Sequence, residues 1–279
     1  MKNLLGRLAR RQSLVLYGGP RLGKTSLLLH LQWFLNQSGT SPTDRLAARY
    51  LDLADVGSLE QLLGTGEDLP PVLMLDNCDQ LLRGGRERNI ARIPRQTSTA
   101  VVWAGGRTWR DFARGDTFPG DFHPIPLAVL LNGEARLLVS PGLTEAQAHF
   151  ALSYGGTHPY VLKALRALLI ADGPQADMQK IILVAMDRLA GFFRDCLRSV
   201  TDRTERDLLD YLIAGAKPLN PRDVARAFKL PTIKAAADVL VFLGLLSRWN
   251  LAEGAMLHAN CRLFTEWYLS HGSHPHPGS

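Results

Sequence analysis

Short apolar runs alternate with stretches of helical spacing through the first half of the chain. Residues 13–17 (Ser-Leu-Val-Leu-Tyr) form one such run, stopped by Gly18-Gly19-Pro20, and Thr25 to Asn36 then continues as a leucine-rich, helix-compatible segment. Further apolar segments fall at Arg49 to Leu53, Pro71 to Leu75 and Ala100 to Ala104. Another, Pro124 to Leu130, follows a turn-rich passage at Gly115 to Gly120. Strands separated by helices predict an α/β fold: a mostly parallel sheet with helices on both faces.

Past residue 130 the period changes. Helical spacing dominates Gly133 to Val139, Thr144 to Tyr154, Pro159 to Ile170 and Gln175 to Val200, with Pro and Gly between them. From Thr204 the pattern predicts a helix to Ala214, a short helix opened by Asn220-Pro221, and a long helix after Pro231 to about Leu246. Asn220 is expected to cap free amides while Pro221 takes the first helical position. Two strand-like pieces, Leu246 to Trp249 and Ala255 to His258, flank a turn at Glu253-Gly254. Three helices and a hairpin suggest a winged-helix module. The expected domains are therefore 1–130 (sheet), 131–202 (helical lid), 203–270 (winged helix) and a loose tail, 271–279, too polar to bury itself.

Composition narrows the class without naming it. At 279 residues, 46% hydrophobic and 21% charged, the chain suits a globular protein of about two domains. No run reaches the ~18 apolar residues of a membrane span. The N-terminus lacks the apolar core of a signal peptide. The three cysteines, Cys78, Cys196 and Cys261, are widely spaced and in no metal-ligand pattern. A cytoplasmic location is the expectation. The formal charge of +6 lies in the first part of the chain, with Arg83, Arg86, Arg88, Arg92 and Arg95 crowded together. Such a cluster suits a solvated helix face, a phosphate-tracking surface or a contact to an acidic partner.

The chemistry concentrates at Gly18-Gly19-Pro20-Arg21-Leu22-Gly23-Lys24-Thr25, which fits the phosphate-loop pattern GxxxxGK[ST] between a predicted strand and a predicted helix. Glycines let the backbone curl so that successive amides face phosphate oxygens, and the helix adds its positive N-terminal end. Lys24 is expected to neutralise β- and γ-phosphates and the Thr25 hydroxyl to ligate Mg²⁺, with Ser26 beside it. Val72 to Asp76 is an apolar strand that delivers a carboxylate at its C-terminal end, where Asp76 suits Mg²⁺ as a hard oxygen ligand. Many nucleotide hydrolases follow that aspartate with glutamate. Here Asn77 follows, able to orient a water but not to take its proton, so turnover is expected to be slow; Asp79 is a candidate substitute or a helix cap. Arg107, after the strand Ala100 to Ala104, is a candidate γ-phosphate contact, and Arg110 and Arg114 are candidates for contacts to a second chain.

These residues resemble the STAND class of P-loop ATPases (signal-transduction ATPases with numerous domains), in particular its archaeal-type branch within the AAA+ group. The resemblance runs from about Ser13 to Leu269. It rests on the segment Gly18 to Leu28, the strand bearing Asp76, Arg107, Gly155-Gly156-Thr157-His158-Pro159-Tyr160, and the close at Leu263-Phe264-Thr265-Glu266-Trp267. It implies ATP or ADP with Mg²⁺ as ligands, Pro159 and His158 near the adenine, and His258 as a nucleotide sensor through an approximate match at Met256-Leu257-His258-Ala259. Thr157 is an insertion against the family pattern. The family's upstream base-holding segment has no counterpart at its usual distance, Leu5-Gly6-Arg7 lying too close to the loop. That departure implies either a shortened chain that binds nucleotide more weakly or, the favoured expectation, a protein partner or homo-oligomer that completes the pocket.

The predicted recognition-helix region, Thr232 to Leu246, carries one base, Lys234, and one acid, Asp238, among mainly apolar residues. Phosphate tracking and base readout need several Lys, Arg, Asn or Gln, so a packing role is favoured over DNA reading. The leading expectation is an ATP-binding switch and slow ATPase that acts with a partner. A DNA-associated AAA+ loader or initiator using the arginine cluster is the alternative, and a nucleotide-stabilised assembly subunit without turnover is a third.

Overall fold

The computed structural model describes residues 2–37, 46–54, 69–78, 98–105, 122–215, 219–228, 233–251 and 254–271. They form two compact units, residues 1–18 with 23–127 and residues 19–22 with 128–279.

The first unit opens with α1 (Lys2–Ala9), β1 (Leu14–Tyr17) and α2 (Lys24–Gln37), and continues with β2 (Ala48–Asp52), β3 (Val72–Asp76), β4 (Ala100–Gly105) and β5 (His123–Pro126). The strands make one five-stranded sheet in the order β2-β3-β4-β1-β5, with every neighbouring pair parallel. Alternation along the strands sorts their side chains onto two apolar faces. Val15, Leu73, Leu75, Val101 and Trp103 pack on one face with Phe122, which meets the Trp103 ring edge-on. Leu14, Leu16, Val72, Met74, Val102 and Ala104 pack on the other, against Leu28, Leu31 and Leu35 of α2 and Leu4 and Leu8 of α1. Strand β3 is buried along its whole length, as expected of an inner strand covered on both faces. The predicted strand Pro124 to Leu130 is shorter than its apolar run. It ends at Pro126, where the Leu127 amide makes its last sheet bond to the Tyr17 carbonyl.

The second unit carries α3 (Asn132–Val139), α4 (Glu145–Gly155), α5 (Pro159–Asp172), α6 (Met178–Arg198), α7 (Arg203–Gly215), α8 (Pro221–Ala227), α9 (Lys234–Phe242), the antiparallel hairpin β6 (Leu246–Leu251) and β7 (Gly254–Ala259), and α10 (Arg262–His271). Local chemistry explains the starts. Thr144 and Gln147 form a reciprocal capping box for α4. The Asn220 side chain accepts from the Arg222 amide with Pro221 next in line, as the sequence predicts. Asp177 accepts from the Gln179 and Lys180 amides, so α6 begins at Met178 rather than at Gln175. The predicted long helix to Leu246 is also shorter. Gly244, at φ +76°, ends it after Phe242, and the Leu245 amide folds back onto the Leu240 carbonyl.

An aromatic cluster of Phe193, Phe264 and Trp267 ties α6 to α10. Asn260 is the polar counterpart. Buried at 5% exposure, its side-chain oxygen accepts from the Thr157 and Ser247 hydroxyls at 2.9 and 2.6 Å, and its amide donates to the Gly244 carbonyl at 3.1 Å. Among the described residues no helix is long and apolar enough to cross a membrane.

Candidate functional site

Strand β1 hands the chain to the loop at Gly18, and α2 takes it up at Lys24. Gly18 lies so close to Leu127 that an added Cβ would stand 2.7 Å from the Leu127 carbonyl oxygen, so the strand-to-loop exit accepts no side chain. Gly23 sits at φ +97°, a conformation L-residues avoid, and its carbonyl accepts from the Leu27 amide at the start of α2. Lys24 folds back so that its Nζ donates to the Gly18 carbonyl at 2.8 Å. Thr25 and Ser26 follow in the exposed first turn of α2, where helical N–H groups have no intrahelical partner.

Asp76 ends β3 and is 2% exposed. Its Oδ2 accepts from the Thr25 hydroxyl at 2.5 Å and from the Tyr50 hydroxyl at 3.1 Å, and its Oδ1 accepts from the Asn77 amide at 2.9 Å. Burial, helped by the negative charge of Asp76 and the hydrogen bond to it, pushes the Tyr50 phenol well above its usual value. Asn77 adopts φ +55°, and its side-chain amide donates to Asp52 Oδ1 at 2.7 Å. Asp52 lies opposite Asp76 in the parallel register of β2 and β3. Neither Tyr50 nor Asp52 was expected from the sequence. Their signal is there, an aspartate ending the β2 run just as one ends β3, but register is needed to see that the two ends meet.

A magnesium-bound triphosphate suits these groups. The Thr25 hydroxyl and the Asp76 carboxylate, both hard oxygen donors, are already in contact. Mg²⁺ usually takes one or two protein oxygens and completes its shell with phosphate and water.

The other predicted residues that the structure describes fall in the second unit. Residues 19–22 cluster with it. The Gly19 amide donates to the Phe242 carbonyl at 3.2 Å. Arg21, at φ +58°, lays its guanidinium 5.3 Å from the centre of the Tyr160 ring. Leu22 is buried. Pro159 is the first residue of α5, and His158 precedes it at the cap position without a side-chain capping bond. Burial lowers the His158 pKa to about 4, against an opposing pull from the Pro20 carbonyl. His258 lies on β7, its Nδ1 2.8 Å from the Ala259 carbonyl, and burial lowers its pKa as well. Arg107, Asp79, Arg110, Arg114 and the arginines from 83 to 95 lie outside the described residues.

No family model matches this sequence, and no curated protein matches it. Solved structures do. A Walker-type ATPase of Pyrococcus abyssi superposes with a TM-score of 0.55 at 13% identity, over 95% of this chain and 93% of that one. The Aeropyrum pernix ORC1 protein, solved in complex with DNA, gives 0.48 at 16% identity over 96% and 90% of the two chains. DnaA of Aquifex aeolicus, solved bound to AMPPCP, gives 0.45 at 12% identity over 85% and 74%. The chain has the α/β fold of P-loop NTPases, with its phosphate-loop pattern at the carboxyl end of β1.

Proposed function

We propose that this protein binds ATP with Mg²⁺ at the loop 18–25 and acts as a nucleotide-dependent switch of the STAND type within the AAA+ group, turning ATP over slowly. The observation that carries the reading is the meeting of the Thr25 hydroxyl with the buried Asp76 carboxylate, 51 residues apart in sequence, beside the lysine of a phosphate loop. In this reading Lys24 leaves the Gly18 carbonyl for the β- and γ-phosphates, and Thr25 and Asp76 hold the metal, which neutralises phosphate charge when bound. Arg107 contacts the γ-phosphate, Pro159 and His158 serve the adenine side, and His258 senses the diphosphate.

The helices and hairpin from 203 to 271 serve as a winged helix with a packing role. Ala236, Ala237, Val239 and Leu240 of α9 are buried, and its acid, Asp238, pairs with Arg248 at 2.7 Å. That leaves α9 poor in groups for reading DNA and favours a protein partner or a second copy as the target of the switch. ATP titration calorimetry on the full chain and on Lys24→Ala tests the nucleotide site. Binding by the wild type that weakens at least about 30-fold in the variant, roughly 2 kcal/mol, is expected; equal binding by both would remove the loop from the site.

A further inference from the structure

The position after Asp76 is Asn77, which cannot take a proton from water, yet a carboxylate reaches the same place from the neighbouring strand. We propose that Asp52 supplies the water-polarising carboxylate of the site and that Asn77 is the side chain that holds it. The proposal rests on the nucleotide reading above. Strands β2 and β3 run parallel with Asp52 opposite Asp76, so both carboxylates leave the same end of the sheet, the end where ligands of parallel α/β sheets gather.

Two donors fix one oxygen of Asp52. The Asn77 side-chain amide reaches Asp52 Oδ1 at 2.7 Å, and the Ala54 amide reaches the same atom at 2.9 Å. A carboxylate only accepts, so the Asn77 amide must turn its NH₂ toward Asp52, which fixes its flip by chemistry. Asn77 itself is tied down by its own N–H on Asp76 Oδ1 and by its left-handed backbone, a conformation Asn tolerates better than most residues. One rigid chain therefore runs from Thr25 through Asp76 and Asn77 to Asp52, with Asp52 exposed at its end.

The chemistry balances without another reactant. A water oxygen bonds to the terminal phosphorus of ATP while its proton passes to Asp52 Oδ2; the bond from that phosphorus to the bridging oxygen breaks and ADP leaves with the electron pair. Asp52 then returns the proton to solvent. A positioned base of this kind contributes about 10²–10⁴-fold.

The test uses full-length protein and separates charge from structure. Asp52→Asn keeps an acceptor for Asn77 and Ala54 but removes the base, so hydrolysis should fall at least about 100-fold while the ATP dissociation constant stays within about threefold. The paired exchange Asp52→Asn with Asn77→Asp moves the carboxylate back to β3 and should recover at least about tenfold of the loss. In nucleotide-free protein, the Asn77 side-chain amide resonance should shift in Asp52→Ala. Hydrolysis by Asp52→Asn near the wild-type rate, no recovery in the exchange, an unmoved Asn77 resonance, or a wild type that binds ATP without turning it over would each overturn the proposal. Absence of ATP binding by the wild type would instead sink the nucleotide reading on which it stands.

Discussion

The Thr25 hydroxyl donates to Asp76 Oδ2 at 2.5 Å, joining the first turn of α2 to the end of β3 across 51 residues of sequence. If these oxygens hold Mg²⁺, Thr25→Ala removes a metal ligand and leaves the loop amides and Lys24 in place. Nucleotide affinity measured with Mg²⁺ should then weaken at least about tenfold, the ratio set by ~1.4 kcal/mol. In excess chelator the two proteins should bind alike. A Thr25→Ser variant, which keeps the hydroxyl, should behave as the wild type.

Tyr50 donates to the same carboxylate oxygen, and its phenol is pushed well above its usual value, by burial first and the Asp76 charge next. A phenol that holds its proton more tightly when folded contributes stability that is fully present below its unfolded value of about 10 and is lost as pH rises above that toward the raised folded value. The wild type should therefore lose stability over that window more steeply than Tyr50→Phe, followed by thermal unfolding at stepped pH. Equal slopes would mean that Tyr50 does not bond Asp76.

The sequence carried the sheet and its phosphate loop plainly, because both are local: a buried strand is a run of apolar residues, and the loop pattern sits between strand and helix. Helix starts at Thr144 and Asn220 were legible for the same reason, each marked by a capping side chain, and the start at Pro159 by a proline in the first helical position. Ends that depend on one backbone conformation were not. Gly244 stops α9 four residues early by its positive φ; the glycine stands in the sequence, but the apolar residues on both sides of it read as one continuous helix. The partners of Asp76 were hidden for a different reason. Tyr50 and Asp52 lie in a strand 20 or more residues away, and only the β2–β3 register brings them to Asp76 and Asn77.

His158, 3% exposed, has its ring 5.0 Å from that of Phe192, and burial holds its pKa down to about 4. A group lowered on folding contributes stability that is present above its unfolded value of about 6.5 and is lost as pH falls through about 4. Acidification across that window should cost the wild type on the order of 3 kcal/mol from this residue, an upper figure taken from the size of the shift. His158→Asn should be less stable at neutral pH but flatter in its pH dependence. The second unit is the place to look, by hydrogen exchange at α5.

Gly156 tests whether the turn before α5 and the Asn260 network act as one structure. It sits at φ +59°, ψ −132°, and a Cβ there would fall 1.6 Å from the Asn260 carbonyl oxygen, a backbone atom with no soft rotamer to yield. The next residue, Thr157, donates its hydroxyl to the Asn260 side chain, which in turn bonds Ser247 and the Gly244 carbonyl. Gly156→Ala therefore forces two backbones apart and strains a left-handed position at once, so a loss of at least about 4 kcal/mol is expected, among the largest single-residue effects. Asn260→Ala keeps the space but leaves buried hydroxyls and a carbonyl unpaired, at about 1–3 kcal/mol for each unsatisfied group. Chemical denaturation of both variants decides the matter. Because Gly156→Ala already pulls Thr157 from Asn260, adding Asn260→Ala to it should cost less than in the wild-type background, and full additivity would mean that the two do not share a network.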